Sequence, residues 1–395
     1  MTGRALSAPR IFLVAGEPSG DTLGTGLLRA LKVKAPDLQA RGVGGPGMVG
    51  AGMDLVFSYD DLAIMGVVEI LPKLAQLQRR WREAAAAIRA FQPDVVVTID
   101  SSGFNKGLAK RLIKSGEPAR RVHYVAPMVW AWRAGRAKGM AQLFDRLLTL
   151  FPFEPAYFTA FGLPTDCVGH PAVEAPLGDG PTFRAAHGIP KDAATLALLP
   201  GSRRGELNRI LPLFCDVASR LSANIPSLHL ICPTVPMVAP ILRQALTQLP
   251  MPATVVETLA DKAGAFAASD AALAASGTIT LELALARVPM VVAYRLNPTT
   301  AFVGEHLFGI RTAALPNLLA KRTVVPEFLQ RFATPERLTS EVLALFRDPR
   351  LKAEQMQAFD QIAAALQPGA LSPSETAAEI VLEEAQRGRA ARTIN

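Results

Sequence analysis

Short runs of consecutive apolar residues alternate with longer stretches in which apolar residues return every three or four positions. The short runs fall at 11–15, 94–100, 122–125, 147–150, 196–199, 228–232, 254–256, 270–275 and 290–295. A continuous apolar run of that length is the pattern of a strand buried on both faces, as in a parallel sheet. Between them lie turns rich in Gly, Pro and Ser, then amphipathic segments such as 22–34, 207–221 and the one carrying Leu74, Leu77, Trp81 and Ile88 on one face. Strands alternating with helices on both sides of a Pro- and Gly-rich stretch at about 175–182 predict two doubly wound, Rossmann-like α/β domains with C-terminal helices. The expected boundaries are 1–175, 183–340 and a helical tail 341–395 that packs back on the first domain.

The 395 residues suit two cores rather than one. Hydrophobic residues make up 50% and charged residues 19%, the balance of a well-cored globular chain. No apolar run approaches the roughly 18 residues of a membrane span, and the apolar segment at 11–15 is too short for a leader. Three cysteines without metal spacing argue against a disulfide framework. Nearly all of the net charge of +8 falls in residues 1–172, which points to an anionic partner for that half. There, Lys73, Arg79, Arg80, Arg82 and Arg89 line an amphipathic segment suited either to an anionic membrane surface or to ordinary packing on a sheet. The five histidines are scattered without ligand spacing, so no metal is expected; no cofactor is assigned either. His229, inside a strand, reads as a core histidine.

Three strand ends carry candidate chemistry. The run 196–199 leads into Pro200–Gly201–Ser202–Arg203–Arg204–Gly205–Glu206 and a helix. A helix start offers free N–H groups and the positive end of its dipole, so this turn is either a phosphate seat or a capped helix with solvated arginines. A second turn of the same kind follows 270–275 at Ser276–Gly277–Thr278, with Glu282 four residues further on, placed to accept ribose hydroxyls. The strand 94–100 ends in Asp100, where an open α/β sheet gathers its chemistry and where the residue serves either as a general base or as a helix cap. Ser19 or Asp21 is expected to cap the helix after the first strand. The loop holding Trp130, Trp132 and Arg133 suggests a surface for an apolar or sugar group.

Together these features suit a nucleotide-sugar enzyme working in an interdomain cleft, and the residues resemble the lipid-A-disaccharide synthase family, glycosyltransferases of GT-B architecture. The resemblance rests on VAGEPSGD (14–21), MGVVE (65–69), PDVVVTID (93–100), HYVAPMVWAWR (123–133), GHP (169–171), LLPGSRRGE (198–206), SDAALAASGTITLELAL (269–285), PMVVAYR (289–295) and LPNLLA (315–320), in family order over nearly the whole chain. It implies inverting transfer of a diacylglucosamine unit from UDP-2,3-diacylglucosamine to 2,3-diacylglucosamine 1-phosphate. It assigns Asp100 as base and Arg203 as the group that offsets charge on departing UDP. Gly201, Ser202, Glu206, Ser276, Gly277, Thr278, Glu282 and Asn317 are implied on the nucleotide side, and Ser19, Gly20, Met65, Gly66, Asn105 and Arg133 on the acceptor side. It further implies a cytoplasmic protein, peripheral on the inner membrane face of a Gram-negative bacterium, with no nucleic-acid partner; a homodimer is left open. The chain departs from the family pattern Ile-Asp-x-Pro-Asp-Phe-Asn, reading Ser101–Ser102–Gly103 after Asp100, and carries Glu174 where an Asp is usual after His170. The rival readings are a UDP-N-acetylglucosamine 2-epimerase-like enzyme and a non-catalytic protein that binds anionic surfaces.

Overall fold

The structure, a computed structural model, describes residues 8–62, 70–127, 135–295, 312–367 and 369–394. It forms two compact units, residues 1–174 with 366–395 and residues 175–365. The C-terminal stretch is thus divided, with only its last part in unit 1.

Unit 1 runs β1 (Arg10–Ala15), α1 (Pro18–Lys34), β2 (Gln39–Gly44), α2 (Pro46–Gly50), β3 (Asp54–Ser58), α3 (Ile70–Phe91), β4 (Val95–Ile99), α4 (Ser102–Lys114), β5 (Arg120–Tyr124), α5 (Gly135–Ala141), β6 (Arg146–Thr149), α6 (Pro155–Thr159) and β7 (Thr165–Cys167). The seven strands are parallel, in the order β3-β2-β1-β4-β5-β6-β7. The run 11–15 is fully buried in the centre of this sheet, as its uninterrupted apolar pattern requires. Leu77, Trp81 and Ile88 of α3 pack with Phe104 and Leu108 of α4, so the apolar face of the basic helix meets the core. The Trp81 indole donates to the Phe104 carbonyl at 2.9 Å.

Unit 2 runs α7 (Gly180–Ala186), β8 (Thr195–Leu199), α8 (Arg204–Ser222), β9 (His229–Pro233), α9 (Ala239–Leu246), β10 (Ala253–Val256), α10 (Leu259–Ala267), β11 (Ala271–Ala275), α11 (Thr278–Leu285), β12 (Met290–Tyr294), α12 (Leu315–Ala320), β13 (Glu327–Leu329), α13 (Pro335–Arg347) and α14 (Pro349–Ala365). Its six strands are parallel, ordered β10-β9-β8-β11-β12-β13. His229 is buried in β9 with its Nε2 2.9 Å from the Thr254 hydroxyl, a core position.

The terminal helix α15 (Pro373–Ile394) packs on α1, β4 and β5 of unit 1. Glu174 fastens its start: its carboxylate accepts from the Ser374 amide at 2.6 Å and the Ser374 hydroxyl at 2.8 Å. Further along, Glu384 is fully buried and accepts from Arg120 and Arg387, both at 2.7 Å. No helix among the described residues is long and apolar enough to cross a membrane.

Candidate active site

In unit 1 the chain leaves β1 toward one sheet edge and β4 toward the other, so the switch point lies between these neighbours. Two turns meet there. A Cβ on Gly16, after β1, would stand 2.5 Å from the Ser101 hydroxyl, after β4; this approach requires glycine. Asp100 and Ser101 both adopt left-handed backbone, φ +51° and +36°. Such positions cost about 1–3 kcal/mol each in a non-glycine residue and persist only where surrounding structure enforces them.

The enforcing contacts are visible. The Asp100 amide donates to the Tyr124 carbonyl at 2.9 Å. The buried Asn105 side chain donates to the Asp100 carbonyl at 2.8 Å and to the Ile99 carbonyl at 3.2 Å. The Ser19 hydroxyl donates to Asp100 Oδ2 at 3.1 Å. The carboxylate is thereby presented, partly exposed, at the opening of α4, where the helix dipole favours an anion.

Ser19, Gly20, Asp100 and Asn105 are therefore brought together. Gly20 lies under the site, where a Cβ would stand 3.4 Å from the Ile99 carbonyl. The Asn105 amide protons are committed to the Ile99 and Asp100 carbonyls, while its buried Oδ1 has no hydrogen-bond partner among the described residues. Met65, Gly66 and Arg133 lie outside the described residues, as do Trp130 and Trp132.

The helix after β1 begins at Pro18, earlier than the sequence suggests, because proline is preorganised for the first helical turn. Ser19 and Asp21 thus sit inside the turn, and neither caps it. Asp21 instead accepts from the amides of Gly45, Gly47 and Met48 at 2.8, 2.9 and 3.1 Å, capping α2 from a distance.

In unit 2 the switch point lies between β8 and β11, in register as Ala274 against Leu199, so both glycine turns leave the same end of adjacent strands. Gly201 has φ +114° and Gly277 φ +151°. A Cβ on Gly201 would also overlap the Glu206 carboxylate. Glu206, in the first turn of α8, accepts from the Ser202 amide at 3.2 Å, a contact to the residue before the helix cap Arg203 that shapes the loop. The Tyr294 hydroxyl at the end of β12 hydrogen-bonds the same carboxylate, and burial, then Glu206, raise the tyrosine above its ordinary pKa.

Arg203 is exposed at the start of this 19-residue helix and makes no ion pair among the described residues. Ser276, Gly277 and Thr278 line the neighbouring turn, with Gly277 fixed by the Thr280 hydroxyl, which donates to its carbonyl at 2.8 Å. Two helix starts with free amides and an unpaired guanidinium can hold a pyrophosphate.

Two residues expected on the nucleotide side are otherwise engaged. Glu282 is ion-paired with Lys262 of α10. Asn317 is buried and all four of its hydrogen-bonding positions are filled: it accepts from the Val324 and Val325 amides at 2.7 and 2.9 Å and donates to the Val325 carbonyl at 3.0 Å and Glu327 at 3.3 Å. It staples the chain entering β13 and has no group left for a nucleotide. Sequence reasoning missed Tyr294 and Lys262, whose partners lie on other elements and leave no local pattern.

Two parallel doubly wound units, one with paired phosphate-type turns and one with an acidic strand end, define a GT-B nucleotide-sugar enzyme. Solved structures share the fold: a Staphylococcus aureus MnaA–UDP co-structure (TM-score 0.65, 13% identity, 97% of each chain) and Acinetobacter baumannii MurG (TM-score 0.55, 13% identity, 95% of this chain and 99% of that one). The profile of the family described as lipid-A-disaccharide synthetase matches residues 11–381. The lipid-A-disaccharide synthase of Rhodospirillum centenum is 46% identical over 375 residues, covering 94% of each chain, and that of Pseudomonas aeruginosa 40% over 385 residues, covering 96% of this chain and 98% of its own. The chain belongs to the lipid-A-disaccharide synthase family.

Proposed function

We propose that this chain joins UDP-2,3-diacylglucosamine to 2,3-diacylglucosamine 1-phosphate, forming the β-1,6-linked disaccharide 1-phosphate and UDP with inversion at the anomeric carbon. Asp100 takes the proton from the acceptor's 6-hydroxyl as that oxygen bonds to the donor's anomeric carbon, and the bond from that carbon to the UDP oxygen breaks. Arg203 and the starts of α8 and α11 offset the negative charge gathering on the departing pyrophosphate. Asn105, Ser19 and Tyr294 act through other groups, holding Asp100 and the Arg203 loop in place.

The observation that supports this reading is full-length family membership, which takes in both the Asp100 strand end and the Arg203 loop. The acyl chains of both substrates place the enzyme at the inner membrane face as a peripheral protein. Arg79, Arg82 and Arg89 are exposed on α3, opposite the residues it buries, and each contributes about 1 kcal/mol beside an anionic surface.

The test is UDP release with both lipid substrates. Asp100→Ala should lower turnover about 10²–10⁴-fold and Arg203→Ala about 10²–10³-fold, with both proteins folded. A near-full rate in Asp100→Ala removes the base assignment. Interconversion of UDP-N-acetylglucosamine with no lipid-dependent UDP release would replace the reading with an epimerase.

A further inference from the structure

The two faces of the unit 1 sheet are covered by helices of different charge. Thr98 and Ile99 are successive in β4 and point to opposite faces. Ile99 lies against α1, where a Cβ on Gly24 would stand 3.0 Å from its Cδ1. Thr98 meets His123 at 2.7 Å, and that ring stacks on Phe144 at 4.8 Å. Phe144 belongs to a cluster with Ala109 of α4, Ala137 and Met140 of α5 and Phe158 of α6, so these three helices share the second face. α3 joins it through Phe104 and Leu108 of α4. The α1–α15 face is of mixed sign: Lys34 pairs with Glu379 at 2.8 Å and Arg387 with Glu384 at 2.7 Å. On the second face α4 carries Lys106, Lys110, Arg111 and Lys114, and α5 carries Arg136 and Lys138, with no acidic residue in α4, α5 or α6. None of these cations makes an ion pair with a described residue. The one carboxylate of α3, Glu83, is taken by Arg80 at 2.5 Å.

Lys110, Lys114, Arg136 and Lys138 are exposed, and large apolar side chains stand out among them. Ile113 of α4, Tyr157 of α6 and Phe161 just beyond it are 42%, 41% and 44% exposed, while Phe158 anchors α6 in the core. We infer that the α4–α6 face is the surface that lies on an anionic lipid bilayer, its lysines over the headgroups and Tyr157 and Phe161 seated at the boundary with the chains. The inference deepens the proposed function and rests on it, since substrates with acyl chains reach the enzyme from a membrane. Charge complementarity commits this carboxylate-free face to an anionic partner. Aromatic rings beside cations settle at the level of lipid headgroups, and Ile113 adds aliphatic area that a bilayer buries and a nucleic acid does not. Lysine suits that partner, because its flexible point charge follows a fluid surface, whereas the planar guanidinium is built for fixed carboxylates and phosphates. The face also reaches the site: α4 starts just after Asp100, so a bilayer against it borders the sheet edge that holds the candidate base.

The test is co-sedimentation of the full chain with phosphatidylcholine vesicles, with and without phosphatidylglycerol. The wild type should bind the anionic vesicles at low salt and release them as salt rises. A variant with Lys110→Gln, Lys114→Gln and Lys138→Gln should bind about 100-fold more weakly, at about 5-fold per charge removed. Tyr157→Ser with Phe161→Ser should weaken binding about 10-fold at every salt concentration. A control with Arg29→Gln, Lys32→Gln and Lys34→Gln in α1 loses the same charge from the other face and should stay within about 3-fold of the wild type. Turnover on water-soluble short-acyl substrates should be unchanged in all of them, while KM for a vesicle-borne acceptor rises in the two face variants. If the serine variant melts early, the lysine variant decides alone. Wild-type affinity in the lysine variant overturns the inference, as does equal loss in the α1 control. Tighter binding of the wild type to duplex DNA than to anionic vesicles at the same salt overturns it in favour of a nucleic acid. Vesicle binding is measured without substrate, so a lack of lipid-dependent UDP release removes the proposed reaction alone.

Discussion

Asn105→Ala separates geometry from chemistry at the candidate base. The side chain is fully buried and donates at 2.8 Å to the Asp100 carbonyl and at 3.2 Å to the Ile99 carbonyl, across a stretch where Asp100 and Ser101 hold left-handed backbone. Truncation leaves two buried carbonyls without this donor. Each lost bond is worth about 0.5–1.5 kcal/mol, with about 1–3 kcal/mol where the group stays dry, so a total of roughly 2–4 kcal/mol is expected. For a unit of this size that is a melting shift of about 5–15 °C. The left-handed turn then relaxes, and the carboxylate swings from its place at the start of α4. Turnover should fall about 10- to 100-fold with donor KM unchanged, because misplacement of a reacting group by about 1 Å costs on that order. The assay is lipid-dependent UDP release, with stability from urea unfolding. A variant that loses the expected stability yet keeps full turnover refutes the claim that Asn105 sets the position of Asp100.

Glu384→Ala should destabilise unit 1 by about 1.5–3 kcal/mol, because it removes the buried carboxylate that Arg120 and Arg387 both donate to; an unchanged urea midpoint would show that α15 is not anchored there. Burial holds His170 down at about 4, so the folded state resists a proton that the unfolded chain takes up near 6.5. Stability contributed by the neutral ring is present above about pH 6.5 and falls as pH drops toward 4, by up to about 1.4 kcal/mol per pH unit; His170→Phe should flatten that slope in urea titrations at pH 7, 6 and 5. Asp100→Gly should be at least as stable as the wild type, since glycine tolerates φ +51°, yet inactive in UDP release; a less stable variant would mean the turn is unstrained.

The central strands were legible because a strand buried on both faces has no room for polar residues. β1, β4, β5, β6, β8, β9, β11 and β12 all appear as apolar runs. The strands that escaped notice, β3, β7 and β13, all lie at sheet edges, where one neighbour is missing and partly exposed residues break the run. The same contrast holds in the site. The turns at Gly201 and Gly277 announce themselves through glycine. The roles of Asp21, Asn105 and Asn317 depend on which backbone groups tertiary packing delivers to them. Asp21 meets the amide of Gly45 from 24 residues away, and Asn317 meets Val324 and Val325 from a separate segment. A side-chain amide in a helix looks the same in sequence whether it binds a ligand or staples a loop.

The two switch points solve one problem in opposite ways. In unit 2 the left-handed positions at the strand ends are glycines, which adopt them without strain and leave the backbone amides open. That suits a site that recognises phosphate through N–H groups and needs no side chain at the turn. In unit 1 the equivalent positions after β4 are Asp100 and Ser101, in backbone that glycine would occupy more cheaply. The strain is held in place by Asn105, by the Tyr124 carbonyl and by the close approach of Gly16. A turn that keeps a carboxylate where the backbone favours glycine is shaped around that carboxylate. This is the physical ground on which we propose proton transfer for unit 1 and leaving-group stabilisation for unit 2.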